Sequence, residues 1–287
     1  MLYDDKIKFL AQTANEIRQL IIKSLLAAGS GHTAGPLGMA DIFTALYFHL
    51  LKHDPKRPDW PERDRLILSN GHICPVLYAT LARAGYFPIE ELSTLRKFGS
   101  RLQGHPHRDW LPVLETSSGP LGSGLSQAVG MALADRLDHE RVSGRWFYCL
   151  LSDGECDTGN LWEAAMLAGR ERLHNLVAIV DRNNIQIDGW TETVMPLEPL
   201  AAKFRAFNWH VLEIDGHNFE AIVAAVEQAK AVFNQPSMII ARTIPGRGVA
   251  EFERDYEWHG KPPNPEEGKR ALAELRTLGG KIKSEHE

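Results

Sequence analysis

Two polar motifs, 30 residues apart, have the residue types needed to hold a metal ion. Asp153 lies in a Ser-Asp-Gly segment and Asn183 follows an Asp-Arg pair, and an apolar run precedes each motif. Such runs predict buried strands, and residues 161–172 between them have the pattern of a helix. Both motifs would then lie at the carboxyl ends of neighbouring parallel strands, where open α/β sheets bind ligands. A carboxylate and an amide oxygen there suit Mg²⁺ or Ca²⁺, together with a ligand phosphate.

Helix and strand patterns alternate along the chain. Strands are predicted at 65–68, 146–151, 176–180, 211–214 and 238–241, and helices at 5–28, 41–51, 75–85, 121–137, 161–172 and 219–232. This alternation predicts the α/β class, with a doubly wound, mostly parallel sheet covered by helices on both faces. Since no repeat or linker interrupts the pattern, we expect one domain over residues 1–287. It would finish with a helix and charged tail at 266–287, and residues 283–287 have the polar character of a natural end.

The bulk composition excludes several classes of protein. The 287 residues are 44% hydrophobic, which is enough for a large α/β core, and the net charge of −5 gives no electrostatic reason to expect nucleic-acid or membrane binding. Three cysteines without CxxC spacing do not predict a disulfide framework. The sequence shows neither a signal-peptide pattern nor an apolar run of membrane-spanning length. We therefore expect a cytoplasmic protein.

Further motifs, taken in order, resemble one family. The (S/G)DG motif followed about thirty residues later by Asn resembles the thiamine-diphosphate motif. Four other segments contain histidine, at 31–32, 69–72, 103–106 and 258–260, and a Ser-Gly-Pro-Leu-Gly turn lies at 118–122. Each motif alone would be weak, but the ordered set covers almost the whole chain and resembles the diphosphate-binding domain of transketolases.

The resemblance implies a metal and cofactor site. Asp153, Asn183 and the backbone carbonyl of Ile185 would hold Mg²⁺, for which Ca²⁺ or Mn²⁺ could substitute. Gly154 would let the chain pass close to the diphosphate of thiamine diphosphate, and His72 would bind that diphosphate. Taken alone, Asp153 could simply cap a helix and His72 its own turn.

The glycine-rich turn would serve the other end of the cofactor. By resemblance, Gly119, Pro120 and Leu121 offer backbone groups to the aminopyrimidine side. The spacing is not that of a P-loop, and taken alone the segment is also compatible with an ordinary turn that starts a helix.

Three histidines from distant segments form a candidate catalytic set. His32, His105 and His259 are each flanked by glycine or proline. Zinc is the main rival ligand, but structural zinc prefers closely spaced ligand pairs, which these segments lack. The resemblance implies that His105 binds the hydroxyls of a donor ketose, while His32 and His259 contact substrate and move protons at its carbonyl oxygen. An imidazole that titrates near neutral pH suits that task.

Two residues depart from the family pattern. Thr158 stands where a glutamate that connects paired cofactor sites is usual, which puts such communication in doubt, although Glu163 remains for an interface. Thr33 replaces the proline that commonly follows the first histidine, which predicts a slightly less rigid loop.

The length of the chain bears on whether it could act alone or only as one subunit of an enzyme. Transketolases are more than twice as long, and their pyrimidine-binding and carboxyl-terminal domains have no counterpart here. The resemblance therefore implies the amino-terminal subunit of a split transketolase, which moves a two-carbon ketol unit between sugar phosphates. It would be active only with a carboxyl-terminal subunit, in a two-plus-two heterotetramer. Alternatives are a subunit of a 1-deoxyxylulose-phosphate synthase, a 2-oxo-acid decarboxylase component, or a non-catalytic relative.

Overall fold

A five-stranded parallel sheet forms the centre of the computed structural model, which describes residues 2–139 and 144–278. The spatial order is β1-β2-β3-β7-β6. The strands are β1 (Arg65–Leu68), β2 (Phe147–Ser152), β3 (Leu176–Arg182), β6 (His210–Asp215) and β7 (Ser237–Arg242). All five were predicted to within two residues, so the predicted α/β fold with a parallel sheet is confirmed. The register pairs Ser152 with Asp181 and Asp181 with Ala241, which brings three strand ends level.

Helices cover both faces of the sheet. They are α1 (Asp4–Ala28), α2 (Ala34–Gly38), α3 (Ala40–Ala45), α4 (Cys74–Ala84), α5 (Ser123–Asp138), α6 (Gly159–Glu171), α7 (Thr191–Val194), α8 (Leu200–Ala206), α9 (Phe219–Lys230) and α10 (Pro265–Leu278). Tyr148 and Leu150 of β2 pack into the core with α1, α3, α4 and α9, whereas Cys149 and Leu151 pack with α5, α6 and α8. Since side chains alternate along a strand, one apolar run supplies both cores.

Short elements are where the sequence-based assignment differs from the structure. The predicted helix 41–51 is α3 followed by a π-helical turn at Leu46–Leu50. The hairpin of β4 (Ile185–Gln186) and β5 (Gly189–Trp190) was not predicted, nor were α2, α7 and α8. Elements of two to seven residues are too short to show a period. The predicted charged tail at 279–287 lies outside the described residues.

The first and last helices pack against each other. The side-chain amide of Asn15 in α1 donates to the carbonyl of Leu275 in α10 over 2.8 Å. A Cβ at Gly268 would lie 2.6 Å from the side chain of Leu26, so only glycine permits this approach without a shift. Among the described residues, no helix is long and apolar enough to cross a membrane.

A buried ion pair fixes the loop that follows β7. Arg18 makes a two-fold contact with Asp41, at 3.0 and 2.6 Å, and His217 Nδ1 lies 2.7 Å from the same carboxylate. The backbone N–H of Ile244 donates to His217 Nε2 over 2.7 Å. Burial opposes ionisation of Asp41, but Arg18 and these hydrogen bonds hold its pKa well below the usual range.

Candidate active site

One cavity of about 390 Å³ collects most of the predicted site residues. It is lined by His32, His72, His105, Gly119, Leu121, Ser152, Gly154, Glu155, Asn183, Ile185, Gln186, Ile187, Asp188 and His259. Nine of the eleven predicted residues are in this set. Of the other two, Asp153 is fully buried and Pro120 lies on the exposed part of the glycine-rich turn. The fold thus brings into one cavity predicted site residues that lie more than 200 positions apart in the sequence.

Asp153 is held by three donors. Its Oδ1 accepts from the N–H of Gly154 at 2.7 Å, and its Oδ2 accepts from the N–H of Asn184 at 2.7 Å and from Arg182 Nη1 at 3.1 Å. Burial raises the pKa of Asp153 to about 6, against the lowering effect of Arg182 and the two N–H groups. A carboxylate has roughly four lone-pair positions, so one position is left for a further ligand.

Asn183 is oriented by a neighbour that the sequence reasoning missed. Its Nδ2 donates to Asp181 Oδ2 over 2.7 Å, and its Oδ1 accepts from the N–H of Ile185 over 3.0 Å. Asp181 also accepts from the hydroxyl of Thr243, and burial raises the pKa of Asp181 to about 7. The amide orientation is therefore fixed, and its oxygen keeps a second lone pair. The signal for Asp181 was its place two residues before Asn183.

The histidine rings cluster at the other end of the cavity. The ring centres of His32 and His72 are 4.9 Å apart, those of His32 and His259 5.4 Å, and those of His72 and His259 5.2 Å. Burial lowers the pKa of His32 and His259 to about 4, and that of His72 well below its usual value. The expectation of imidazoles that titrate near neutral pH, made for His32, His105 and His259, is therefore wrong for His32 and His259, whose rings are neutral at pH 7.

Two ring nitrogens in this cluster lack partners. Within the part of the chain that the structure describes, Nδ1 of His32 and Nδ1 of His259 are buried without a hydrogen bond. Both side-chain atoms of the buried Asn70, two residues before His72, are also unpaired. Because buried polar atoms are nearly always paired, this concentration indicates a ligand site.

His105 differs from the other three histidines. It lines the same cavity, but its side chain is exposed at the mouth. Partial burial, followed by the nearby charge of Arg96, lowers the pKa of His105. This position suits contact with a ligand that enters from solvent.

Thr33 ties two histidine loops together. Its side chain is fully buried, and its hydroxyl donates to the carbonyl of Lys261 over 2.6 Å. Thr33 adjoins His32, and Lys261 lies two residues after His259. A proline at position 33 could not make this hydrogen bond, and the expectation that threonine makes the loop less rigid stays a prediction.

Glu155 organises the glycine-rich turn, and it too was missed. Its buried carboxylate accepts from the Ser69 hydroxyl, the N–H of Gly122 and the N–H of Ser152. Gly122 has a φ of +80°, and a Cβ there would lie 2.2 Å from the hydroxyl of Thr158, so glycine is required. Thr158 donates to the carbonyl of Glu155 and begins α6. A glutamate directly after Ser-Asp-Gly was the available signal.

The described residues contain no group of three or more His, Cys, Asp or Glu side chains arranged to hold a metal ion. The proximity of the histidines thus does not amount to a zinc site. The set of Asp153, Asn183 and Ile185 has a single carboxylate. Such a set would need phosphate oxygens and water to complete a Mg²⁺ shell.

Comparison with known families identifies the chain. The profile described as "Transketolase, thiamine diphosphate binding domain" matches residues 10–279. The chain therefore belongs to the transketolase family, and the matched region is the thiamine-diphosphate-binding domain of that family. The family resemblance seen in the sequence is confirmed.

Two relatives have nearly the same length as this chain. The 6-deoxy-6-sulfo-D-fructose transketolase subunit SqwG of Clostridium sp. (strain MSTE9) is 48% identical over 94% of this chain and 97% of the relative. An apulose-4-phosphate transketolase subunit of Phocaeicola vulgatus is 36% identical over 98% of this chain and 99% of the relative. Both relatives are named as subunits.

Longer relatives match only in part. Transketolase 2 of Escherichia coli is 42% identical over 88% of this chain, which spans 39% of that protein. The crystal structure of transketolase from Campylobacter jejuni superposes with a TM-score of 0.88 and 36% identity, over 98% of this chain and 43% of that one. The chain thus spans about two fifths of these longer transketolases.

The cavity fits the cofactor of the family. Unpaired nitrogens of His32 and His259 lie at one end, and the paired oxygens of Asp153 and Asn183 at the other. Gly154 also lines the cavity, where a Cβ would make an ordinary contact with Gln186 at 3.6 Å. These features match a long ligand that has a diphosphate at one end.

Proposed function

We propose that this chain is the diphosphate-binding subunit of a two-subunit transketolase that moves a two-carbon ketol unit from a ketose phosphate to an aldose phosphate. The observation that carries the proposal is the single cavity, which is lined by four histidines and by Asn183 and Ile185, next to the buried Asp153. Two relatives of the same length, both named transketolase subunits, support it over the alternative thiamine-diphosphate enzymes.

At the diphosphate end, we assign Asp153, the Asn183 amide oxygen and the Ile185 carbonyl as the groups that would hold Mg²⁺, which would offset the negative charge of a diphosphate. Ca²⁺ or Mn²⁺ would suit the same hard oxygens. His72, whose ring lies in the histidine cluster rather than beside the metal ligands, would donate a hydrogen bond to the cofactor's diphosphate, and bound negative charge would raise its lowered pKa. The backbone of Gly119, Pro120 and Leu121 would face the aminopyrimidine end.

At the histidine end, the chain's own side chains would handle substrate oxygens. Thiamine diphosphate, when bound, supplies the carbanion chemistry. Neutral His32 and His259 each have one donor and one acceptor nitrogen, so each can give or take a proton at the substrate's carbonyl oxygen. Exposed His105 would bind the hydroxyls of the incoming ketose.

A partner must complete the site. Of the residues that line the cavity, none is lysine or arginine, and the nearby charge that acts on His105 is that of Arg96. Apolar side chains are exposed on the glycine-rich turn, the β4–β5 hairpin and the adjoining α7 segment: Leu121, Ile187, Trp190, Val194 and Met195. Such a patch is typical of a protein interface. We assign it to a carboxyl-terminal subunit with the pyrimidine-binding and carboxyl-terminal domains, in a two-plus-two heterotetramer.

The remaining assignments concern the chain as a whole. We infer that residues 1–287 form one cofactor-binding domain, because helices from both ends of the described chain share a core. A cytoplasmic location is consistent with three cysteines that are all free and buried.

The test is a ketol-transfer assay with and without a co-expressed carboxyl-terminal subunit, with light scattering of the mixture. We expect no turnover by the chain alone, turnover after mixing, and a mass that corresponds to two copies of each of the two proteins. The same mixture made with Asp153→Asn should assemble but stay inactive. Full turnover by the isolated chain would refute the proposal.

A further inference from the structure

Asp153 carries a buried charge that needs a counter-charge when no metal is bound. Its side chain is fully buried, and two of its three donors are neutral backbone N–H groups. Among the described residues, the cation that forms an ion pair with it is Arg182, whose Nη1 lies 3.1 Å from Oδ2.

Arg182 reaches Asp153 from behind the cofactor cavity. Asn183 and Ile185 line that cavity, whereas Arg182 and Asn184 line a separate cavity of about 240 Å³. Arg182 is the last residue of β3, and the chain turns at Asn184, whose φ is +65°. Arg182 can therefore neutralise Asp153 without blocking the cavity.

The same arginine is held on its other side. Its Nη2 donates to Glu192 and, over 3.1 Å, to Glu198. The guanidinium is thus fixed in place by two carboxylates on the chain between β5 and α8. Its position is set before any ligand binds, and it can stay paired if its contact with Asp153 weakens.

We propose that Arg182 is the resident counter-charge of Asp153, and that a divalent cation takes over this role when it binds. The proposal rests on the proposed function, which places the cation at Asp153. Two positive charges beside one carboxylate repel each other, so Arg182 stabilises the metal-free site and lowers its affinity for the cation. By linkage, the factor by which Arg182 lowers the affinity for the cation equals the factor by which the bound cation weakens the pairing of Arg182 with Asp153.

The first experiment measures thermal unfolding of the full-length chain without metal. Arg182→Met keeps the length of the side chain and removes its charge. Since it leaves a buried carboxylate unpaired, it should lower the Tm by about 10 °C. Arg182→Lys should restore part of the loss. Adding Asp153→Asn to Arg182→Met should recover most of it, because no charge is then left to compensate.

Arg242→Met is the matched control. Arg242 pairs with Arg182 in the sheet register but forms its ion pair with the more exposed Glu213, at 3.0 Å. Its substitution should change the Tm by no more than about 2 °C. If Arg182→Met lowers the Tm by as much in the Asp153→Asn background as it does alone, Arg182 contributes only packing contacts and the proposal fails.

The second experiment titrates Mg²⁺ into the two-subunit complex, saturated with thiamine diphosphate, by calorimetry. Arg182→Met should bind Mg²⁺ roughly tenfold more tightly than the unaltered protein. If Arg182→Met binds Mg²⁺ no more tightly than the unaltered complex, the proposal that the cation replaces Arg182 as the counter-charge fails. If the unaltered complex shows no Mg²⁺ binding, the proposed function fails, while the double substitution still reports the metal-free pairing of Asp153 and Arg182.

Discussion

At the Asp153 end of the cavity, buried polar side chains are paired within the chain, whereas at the histidine end several are not. Asp153 and Asn183 receive hydrogen bonds from backbone N–H groups, and Arg182 and Asp181 stand behind them. Nδ1 of His32 and Nδ1 of His259 have no partner in the described structure. The first end is thus organised by the fold itself, and the second is completed by a ligand.

The contrast separates two kinds of substitution. At the paired end, removing a group breaks contacts that exist before binding, so both stability and affinity should change. At the histidine end, removing a group should leave the metal-free fold intact or stabilise it, and should mainly affect ligand use.

The largest effect is expected at the paired end. Asp153→Asn removes the charged metal ligand and should weaken binding of thiamine diphosphate with Mg²⁺ by more than about 100-fold. Substitution of residues that merely hydrogen-bond to a metal ligand already lowers metal affinity by about 10–100-fold. Calorimetry on the two-subunit complex measures this. Asp157→Asn, an exposed carboxylate four residues on, is the control. Unchanged affinity in Asp153→Asn would remove the metal assignment.

The next effect concerns the histidine end and its response to acid. His259 has a folded-state pKa of about 4, below the ordinary value of 6.5, so it binds fewer protons folded than unfolded. The free energy of unfolding should therefore fall as the pH drops from about 6.5 to 4. His259→Gln should lose roughly 1–2 kcal/mol less than the unaltered chain between pH 7 and pH 5.

Urea unfolding of the metal-free chain at several pH values checks this prediction. The raised pKa values of Asp153 and Asp181 act in the opposite direction, but they are present in both proteins and cancel in the difference. His210→Gln, at a half-exposed position on β6, serves as the control. Parallel pH curves for His259→Gln and the unaltered chain would show that this ring is not held neutral.

A smaller effect is expected at the cavity mouth. His105→Ala should lower kcat/KM for the ketose donor roughly tenfold, because it removes about one hydrogen bond to the donor. The cofactor Kd should be unchanged. The side chain is exposed, so no buried partner is left unpaired. Steady-state kinetics and a cofactor titration of the same complex decide this. A large loss of cofactor affinity with unchanged kcat/KM for the donor would mean that His105 binds the cofactor and not the ketose.

The smallest effect tests the link between the two histidine loops. Thr33→Val has nearly the same shape but loses the hydrogen bond to Lys261, and should lower kcat/KM about fivefold. Thr33→Ser keeps the hydroxyl and should restore the rate. The measurement is kcat/KM of the two-subunit complex for each variant. A loss in the Ser variant with none in the Val variant would show that the methyl group, rather than the hydrogen bond, matters.

Long buried strands and motif residues could be predicted from the sequence. Four of the five sheet strands have continuous apolar runs, whereas β6 is interrupted by Glu213, and the carboxyl-end rule placed Asp153 beside Asn183. The ordered motifs placed His32, His105 and His259 in one cavity. These signals are local in sequence or carried by family resemblance.

Residues that act through tertiary contacts could not be predicted. Arg182 and Glu155 look like ordinary charged residues until the fold buries them. The neutral state of His32 and His259 depends on burial, which no single segment reveals. Thr33 looked like the loss of a stiffening proline, because its acceptor lies 228 positions away.

The packing of α1 against α10 has a consequence for synthesis. The amino-terminal helix leaves the ribosome first, but the backbone carbonyl that pairs with Asn15 belongs to Leu275. Until that late segment emerges, the apolar side of α1 is incompletely covered, and a parallel sheet of distant strands forms slowly. The nascent chain should therefore depend on chaperones until α10 has emerged from the ribosome, and it should become resistant to protease only after residue 278 has cleared the exit tunnel.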